Sequence, residues 1–137
     1  MDWLSHPQAI GRFLVTAFFA VVFVQSALDK LTDREGNMGF FADHFKNSPV
    51  AGLVPLLFWS LTALEATAGG LCTLGLLFGN STRQGMSVAA AGVAISGVAL
   101  LSLLLGQRLA KDYAGAAVIA TYFGVALVGM ILFAVPP

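Results

Sequence analysis

Four long apolar runs divide the chain, and short polar segments separate them. The runs cover residues 9–31, 53–78, 84–105 and 112–135. A helix rises about 1.5 Å per residue, so each run is long enough to cross the ~30 Å hydrocarbon core of a bilayer. The pattern predicts an all-α membrane protein, in which residues 1–137 form a single domain of four transmembrane helices in an antiparallel bundle.

The polar connection between the first two runs, residues 32–50, contains one amphipathic segment. Met38, Phe41 and Phe45 recur there at the spacing of one helix face. We therefore predict a short interfacial helix between transmembrane helices 1 and 2. His44 lies on this segment. A histidine in this position is ordinarily a solvated side chain, and ligand binding is the alternative.

The composition narrows the classes of function. Hydrophobic residues make up 58% of the chain and charged residues only 10%, against about 25% charged in soluble domains. The formal net charge is zero, so nothing indicates a nucleic-acid partner. One cysteine excludes a disulfide framework and thiol exchange. Histidine, cysteine and acidic residues lack metal-ligand spacing, so we predict no metal site and no intrinsic cofactor.

Within the first run, the apolar residues 13–24 follow Arg12 and have the general form of a signal peptide. Its cleavage site near residues 26–27 is poor, so we interpret the run as a retained first span. The connections between spans 1 and 2 and between spans 3 and 4 together contain five basic residues, whereas the opposite side of the membrane has two. Charge counting therefore favours these two connections as cytoplasmic.

Glu65 interrupts the second run near its middle, close to the expected midplane of the bilayer. A carboxylate at that depth is energetically expensive and normally faces protein or a water-filled cavity. Thr62, Gly69 and Cys72 share its helical face, which indicates an interior position. Two interpretations remain open. In the first, Glu65 is functional: it contacts a quinone or another carbonyl compound, or it relays a proton. In the second, Glu65 is structural: it is protonated or hydrogen-bonded and fixes helix packing.

Hairpin topology brings other polar residues to the membrane surface above Glu65, and the pattern predicts a polar cleft that ends at this residue. The residues of this predicted cleft are Glu65, Tyr122, Asp29, Lys30, His44 and Asp112. Tyr122 has a depth close to that of Glu65, so we predict a hydrogen bond between them, with Thr121 as the alternative partner. Lys30 is expected to extend toward the headgroups, although it is also a possible partner of Glu65.

Small residues mark two predicted helix-packing faces. They recur at spacings of three and four residues, which lets a neighbouring helix approach closely. The positions are Gly85, Ala89, Gly92 and Ser96 in the third span and Ala116, Ala120 and Gly124 in the fourth.

Several short motifs together resemble the DoxX-like family of four-helix bacterial membrane proteins. Residues 27–31 (ALDKL) are similar to a signature at the end of the family's first helix. Residues 65–70 (EATAGG), followed by Gly75 and Leu76, resemble its second-helix pattern. Asp112 and Gly115 resemble a recurrent position at the head of its last helix. The resemblance covers nearly the whole chain.

The resemblance implies a multi-pass protein of the bacterial inner membrane without independent catalytic activity. It implies an accessory or structural subunit of a larger respiratory or quinone-linked redox complex. A quinone-interacting oxidoreductase subunit is the first alternative, and a small transporter that uses Glu65 is the second. The expected partners are membrane lipids and either other membrane subunits or further copies of the chain, and a quinone or lipid is the candidate bound molecule.

Overall fold

The structure is a computed structural model, and it describes residues 5–79 and 82–136. Within these residues the chain forms five α-helices, and a short 3₁₀ turn at Ala51–Leu53 leads into the third. The helices are α1 (Pro7–Thr32), α2 (Arg34–Phe45), α3 (Val54–Phe78), α4 (Arg83–Leu109) and α5 (Tyr113–Ala134).

Four of these helices, α1, α3, α4 and α5, are long and apolar enough to cross a membrane. They confirm the predicted all-α fold with four candidate spans and support a multi-pass membrane protein. The predicted third span ended at residue 105, whereas α4 continues to Leu109. Gly106 does not stop the helix, and it lies against the ring of Phe45 instead. The chain turns at Lys111, whose φ of 61° is left-handed.

The four long helices pack in an antiparallel bundle. α3 packs between α1 and α4, α4 packs on α5, and α5 closes the bundle against α1. The predicted short helix after the first span is α2, which lies against α3. Phe41 of α2 meets the buried Phe58 of α3 edge to face, with ring centroids 5.6 Å apart. This aromatic contact holds α2 on the bundle.

Glycines set the distance between the helices at close contacts of α3 with α1 and with α4. A Cβ atom on Gly69 of α3 would stand 2.7 Å from the backbone nitrogen of Val24 in α1. Between α3 and α4, Gly75 lies against Ala89. The small residues of the predicted packing face of α4 are buried. These are Gly85, Ala89, Gly92 and Ser96.

The predicted packing face of α5 is buried within the chain only at its first residue. Ala116 is buried, but Ala120 and Gly124 are exposed, and a Cβ atom on Gly124 would meet nothing within 4 Å. Each step of four residues advances about 40° beyond a full turn around the helix, so the later positions turn away from the neighbouring helices. The buried small residues further along α5 are Ala126 and Gly129.

Candidate functional site

A buried ion pair joins α1 to α3. Lys30 Nζ lies 3.0 Å from Glu65 Oε2, with the Lys30 side chain 10% and the Glu65 side chain 1% exposed. Lys30 Nζ also donates a hydrogen bond to Ser26 Oγ, at 2.9 Å, one turn earlier on α1. The two opposite charges compensate each other in an apolar environment where either alone would be costly. Of the partners left open for Glu65, the structure places Lys30 beside it.

The helix faces explain why Lys30 points inward. Phe19, Phe23 and Ala27 are buried on one face of α1, and Lys30 continues that face into the last turn. Gly69, one turn beyond Glu65 on α3, allows the α1 backbone to come close. The expectation that Lys30 extends to the headgroups is therefore wrong, because its face of α1 is the one that packs against α3.

Tyr122 lies elsewhere in the bundle. Its ring packs edge to face on Phe18 of α1, with centroids 5.6 Å apart. Phe18 precedes Lys30 by twelve residues, about 18 Å along the helix axis. Among the described residues, Tyr122 makes no hydrogen bond with Glu65, so the predicted bond is wrong. The alternative, Thr121, is exposed and donates to the carbonyl of Ala117 in its own helix.

The remaining residues of the predicted cleft gather at the same end of the bundle but do not join the ion pair. Asp29 is exposed and accepts a hydrogen bond from the Asn37 amide at 3.3 Å. His44 Nε2 lies 2.6 Å from Gln107 Oε1 and 3.9 Å from Asp112 Oδ2. Asp112 caps the N-terminus of α5 by accepting from the Gly115 amide at 2.9 Å. The polar residues therefore form two groups, with Lys30 and Glu65 inside and His44, Gln107 and Asp112 at the edge.

A cavity of about 370 Å³ lies between α2, α3 and α4. Its walls are mainly phenylalanine side chains of α2 and leucine side chains of α3 and α4. Its polar lining residues are His44, Ser60, Ser102 and Gln107. Glu65 does not line this cavity, although its neighbour Leu64 does. The prediction of a cleft ending at Glu65 is wrong, since the open space faces another side of α3.

Two residues of the structure escaped the sequence analysis. Gln107 falls in the polar segment between the third and fourth apolar runs, but it extends α4 and bonds to His44 at the edge of the cavity. Arg12, which entered the sequence analysis only in the signal-peptide comparison and the charge counting, is 3% exposed at the opposite end of the bundle. Its guanidinium donates to the carbonyl of Leu132, at 2.8 Å, and to that of Val135 at the end of α5. A cation there complements the negative end of the helix dipole.

In the part of the chain that the structure describes, no three histidine, cysteine or acidic side chains form a group with metal-binding geometry. Cys72 is fully buried, with its sulfur 4.0 Å from Ser96 Oγ. No family model matches the chain, and neither a curated protein nor a solved structure matches it significantly. The candidate site is therefore defined by geometry: an internal ion pair and, beside it, an aromatic cavity with one polar edge.

Proposed function

We propose that this chain is a non-catalytic accessory subunit of a larger membrane complex of the respiratory or quinone-linked redox type, in the bacterial inner membrane. The observation that carries the proposal is the Lys30–Glu65 ion pair. It links two helices inside the bundle, at 3.0 Å and almost without solvent contact. A carboxylate held in this way stabilises helix packing.

The position of Glu65 favours an accessory role over a reactive one. A general acid or base must come within hydrogen-bonding distance of the group it protonates or deprotonates. Glu65 does not line the cavity, and its carboxylate accepts a hydrogen bond from Lys30. The same contact disfavours a transport cycle driven by Glu65, because carrying a proton would leave the Lys30 charge uncompensated.

Two further features support a place in a larger assembly. Only 17% of the residues in an 18-residue apolar stretch of α5 are buried within the chain, which leaves most of that helix for lipids or a neighbouring subunit. The redox and quinone-linked part of the proposal comes from the resemblance of residues 27–31 and 65–70 to the DoxX-like family.

The assembly is tested by isolating the tagged chain from its native membranes in lipid nanodiscs. Native mass spectrometry then gives the composition and stoichiometry of the particle, and a quinone-reduction assay gives its activity. We expect the chain to occur with other membrane subunits in fixed proportion, in a particle that reduces or oxidises quinone. A particle that contains only this chain and lipid would contradict the proposal.

A charge exchange separates the structural role of Glu65 from a catalytic one. Lys30→Glu and Glu65→Lys, made singly, place two like charges together and should prevent assembly. The double variant restores opposite charges across the same 3.0 Å contact, so assembly and the activity of the complex should both return. Restored assembly with lost activity would show that Glu65 takes part in the reaction, against the proposal.

A further inference from the structure

We propose that the cavity between α2, α3 and α4 binds an uncharged, membrane-soluble ring compound through a carbonyl group of that compound. This inference goes beyond the accessory role and does not depend on it, because it concerns the isolated chain.

The size and lining of the cavity fit a small apolar ligand. Its volume of about 370 Å³ falls in the range of about 300–1,000 Å³ that is usual for small-molecule sites. Leu57, Leu61 and Leu64 of α3 form one apolar wall. No lysine, arginine or acidic side chain lines the cavity among the described residues. A charged ligand would lack a counter-charge there, so the geometry favours an uncharged one.

The wall contributed by α2 favours a flat ring. Phe40, Phe41, His44 and Phe45 all line the cavity. The rings of Phe40 and His44 are nearly parallel, with an interplanar angle of 17° and centroids 5.3 Å apart. Aromatic faces and edges attract other flat rings by offset stacking and edge-to-face contact. A ring compound uses this surface better than a flexible acyl chain does.

The polar edge of the cavity favours a carbonyl group on the ligand. Gln107 Oε1 can only accept, so His44 Nε2 is the donor in their 2.6 Å hydrogen bond. That bond occupies the acceptor of the Gln107 side chain and leaves the two N–H groups of its amide. Neither makes a hydrogen bond to another described residue. Gln107 Nε2 lies beside Gly115 at the start of α5, which places the amide at the polar edge of the cavity, where an acceptor on the ligand can meet it.

The rim indicates how a ligand enters. Phe40 and Leu105 line the cavity and are also 62% and 60% exposed. Both side chains are apolar, on the flank of a bundle whose long helices are candidate membrane spans. A ligand dissolved in the bilayer therefore reaches the cavity from the side, without passing through the bundle.

Binding is tested with 6-propionyl-2-dimethylaminonaphthalene, a neutral naphthyl ketone whose emission reports the polarity around it. The purified chain is placed in nanodiscs of phosphatidylcholine, and empty nanodiscs give the partition background. We expect saturable binding of one probe per chain. 2-Acetylnaphthalene should displace it about tenfold better than 2-ethylnaphthalene, which lacks the carbonyl. 2-Acetylnaphthalene should also displace the probe better than 2-dodecanone, a linear ketone. Equal displacement by all three, or partitioning without saturation, would overturn the inference.

Variants connect the binding to the cavity. Gln107→Leu removes the amide donors at similar volume and should weaken ketone binding about tenfold while leaving 2-ethylnaphthalene unaffected. Gln25→Leu makes the same chemical change at an exposed position of α1 outside the cavity and should leave both unchanged. Ser60→Trp fills the cavity from its exposed edge and should weaken both ligands, which keeps the test available if Gln107→Leu does not fold. Unchanged ketone binding in a folded Gln107→Leu or Ser60→Trp variant would overturn the inference.

The two proposals fail separately. Saturable ketone binding by a chain that native membranes contain without partner subunits would contradict only the accessory role. A stable complex whose isolated subunit binds no ring ketone would contradict only the cavity site.

Discussion

Lys30 of α1 donates a hydrogen bond to Glu65 of α3 at 3.0 Å, and both side chains are almost completely buried. The contact joins the last turn of α1 to the middle of α3. Because the partners lie 35 residues apart in sequence, the pair fixes tertiary rather than local structure. The pair stabilises the fold because each buried charge compensates the other. A protein that keeps only one of the two charges should therefore be less stable than a protein that has neither.

A double-mutant cycle tests that statement. Glu65→Met or Lys30→Met alone leaves a buried charge without its partner and should lower the free energy of unfolding by about 3 kcal/mol. The double variant removes both charges at similar volume, so it should regain most of the loss. Unfolding in mixed micelles with increasing SDS, followed by circular dichroism, measures all four proteins. If the two losses simply add, the residues are not coupled.

Gly69 and Gly70 are adjacent in sequence but differ sharply in their surroundings. A Cβ atom on Gly69 would stand 2.7 Å from the backbone nitrogen of Val24, whereas one on Gly70 would meet nothing within 4 Å. Gly69→Ala should therefore push α1 from α3 and lower stability by about 2 kcal/mol. Gly70→Ala should be neutral or raise stability by up to about 1 kcal/mol, because alanine favours the helix. Thermal unfolding in detergent gives both values, and equal effects would refute this account of the α1–α3 contact.

The sequence contained enough information for the helices and for one packing face. Apolar length predicts the four spans because each must be long enough to cross a bilayer by itself. The small residues of α4, from Gly85 to Ser96, predict a buried face because their spacing follows one side of a helix. Both signals are properties of a single helix and require no knowledge of its neighbours.

The contacts between helices were less predictable from the sequence. A hydrogen bond from Tyr122 to Glu65 followed from counting depth along two helices, but depth does not determine which helices are neighbours. α3 packs against α1 and α4, and Tyr122 meets α1 at Phe18 instead. The cavity belongs to three elements at once, and His44 and Gln107 are 63 residues apart. No local pattern connects two such residues.

Arg12 should stabilise the end of α5 at the opposite side of the bundle. Its guanidinium donates to the carbonyl of Leu132 in the last turn of that helix and to the carbonyl of Val135, the residue that follows the helix. Arg12→Met removes these donors and the favourable charge at the helix C-terminus, a loss of about 1–2 kcal/mol. Hydrogen–deuterium exchange should become about tenfold faster in the C-terminal peptide, since 1.4 kcal/mol corresponds to a factor of ten.

Arg83→Met is the control for Arg12→Met, because Arg83 is exposed at the start of α4. It removes the same charge without touching α5, so exchange in the C-terminal peptide should stay as in the wild type. Equal exchange in all three proteins would show that the contacts of Arg12 do not stabilise the end of α5.

Phe58 should determine whether α2 stays on the bundle and thus whether the cavity exists. Its side chain is fully buried and receives the edge of the Phe41 ring. Phe58→Ala removes that support, at a cost of about 3–5 kcal/mol for a buried phenylalanine, and should release α2. Limited proteolysis should then cut between residues 46 and 53 at a much higher rate. Phe78→Ala, at an exposed position near the far end of α3, should leave proteolysis unchanged. Protection in Phe58→Ala equal to that of the wild type would mean that α2 is held by other contacts.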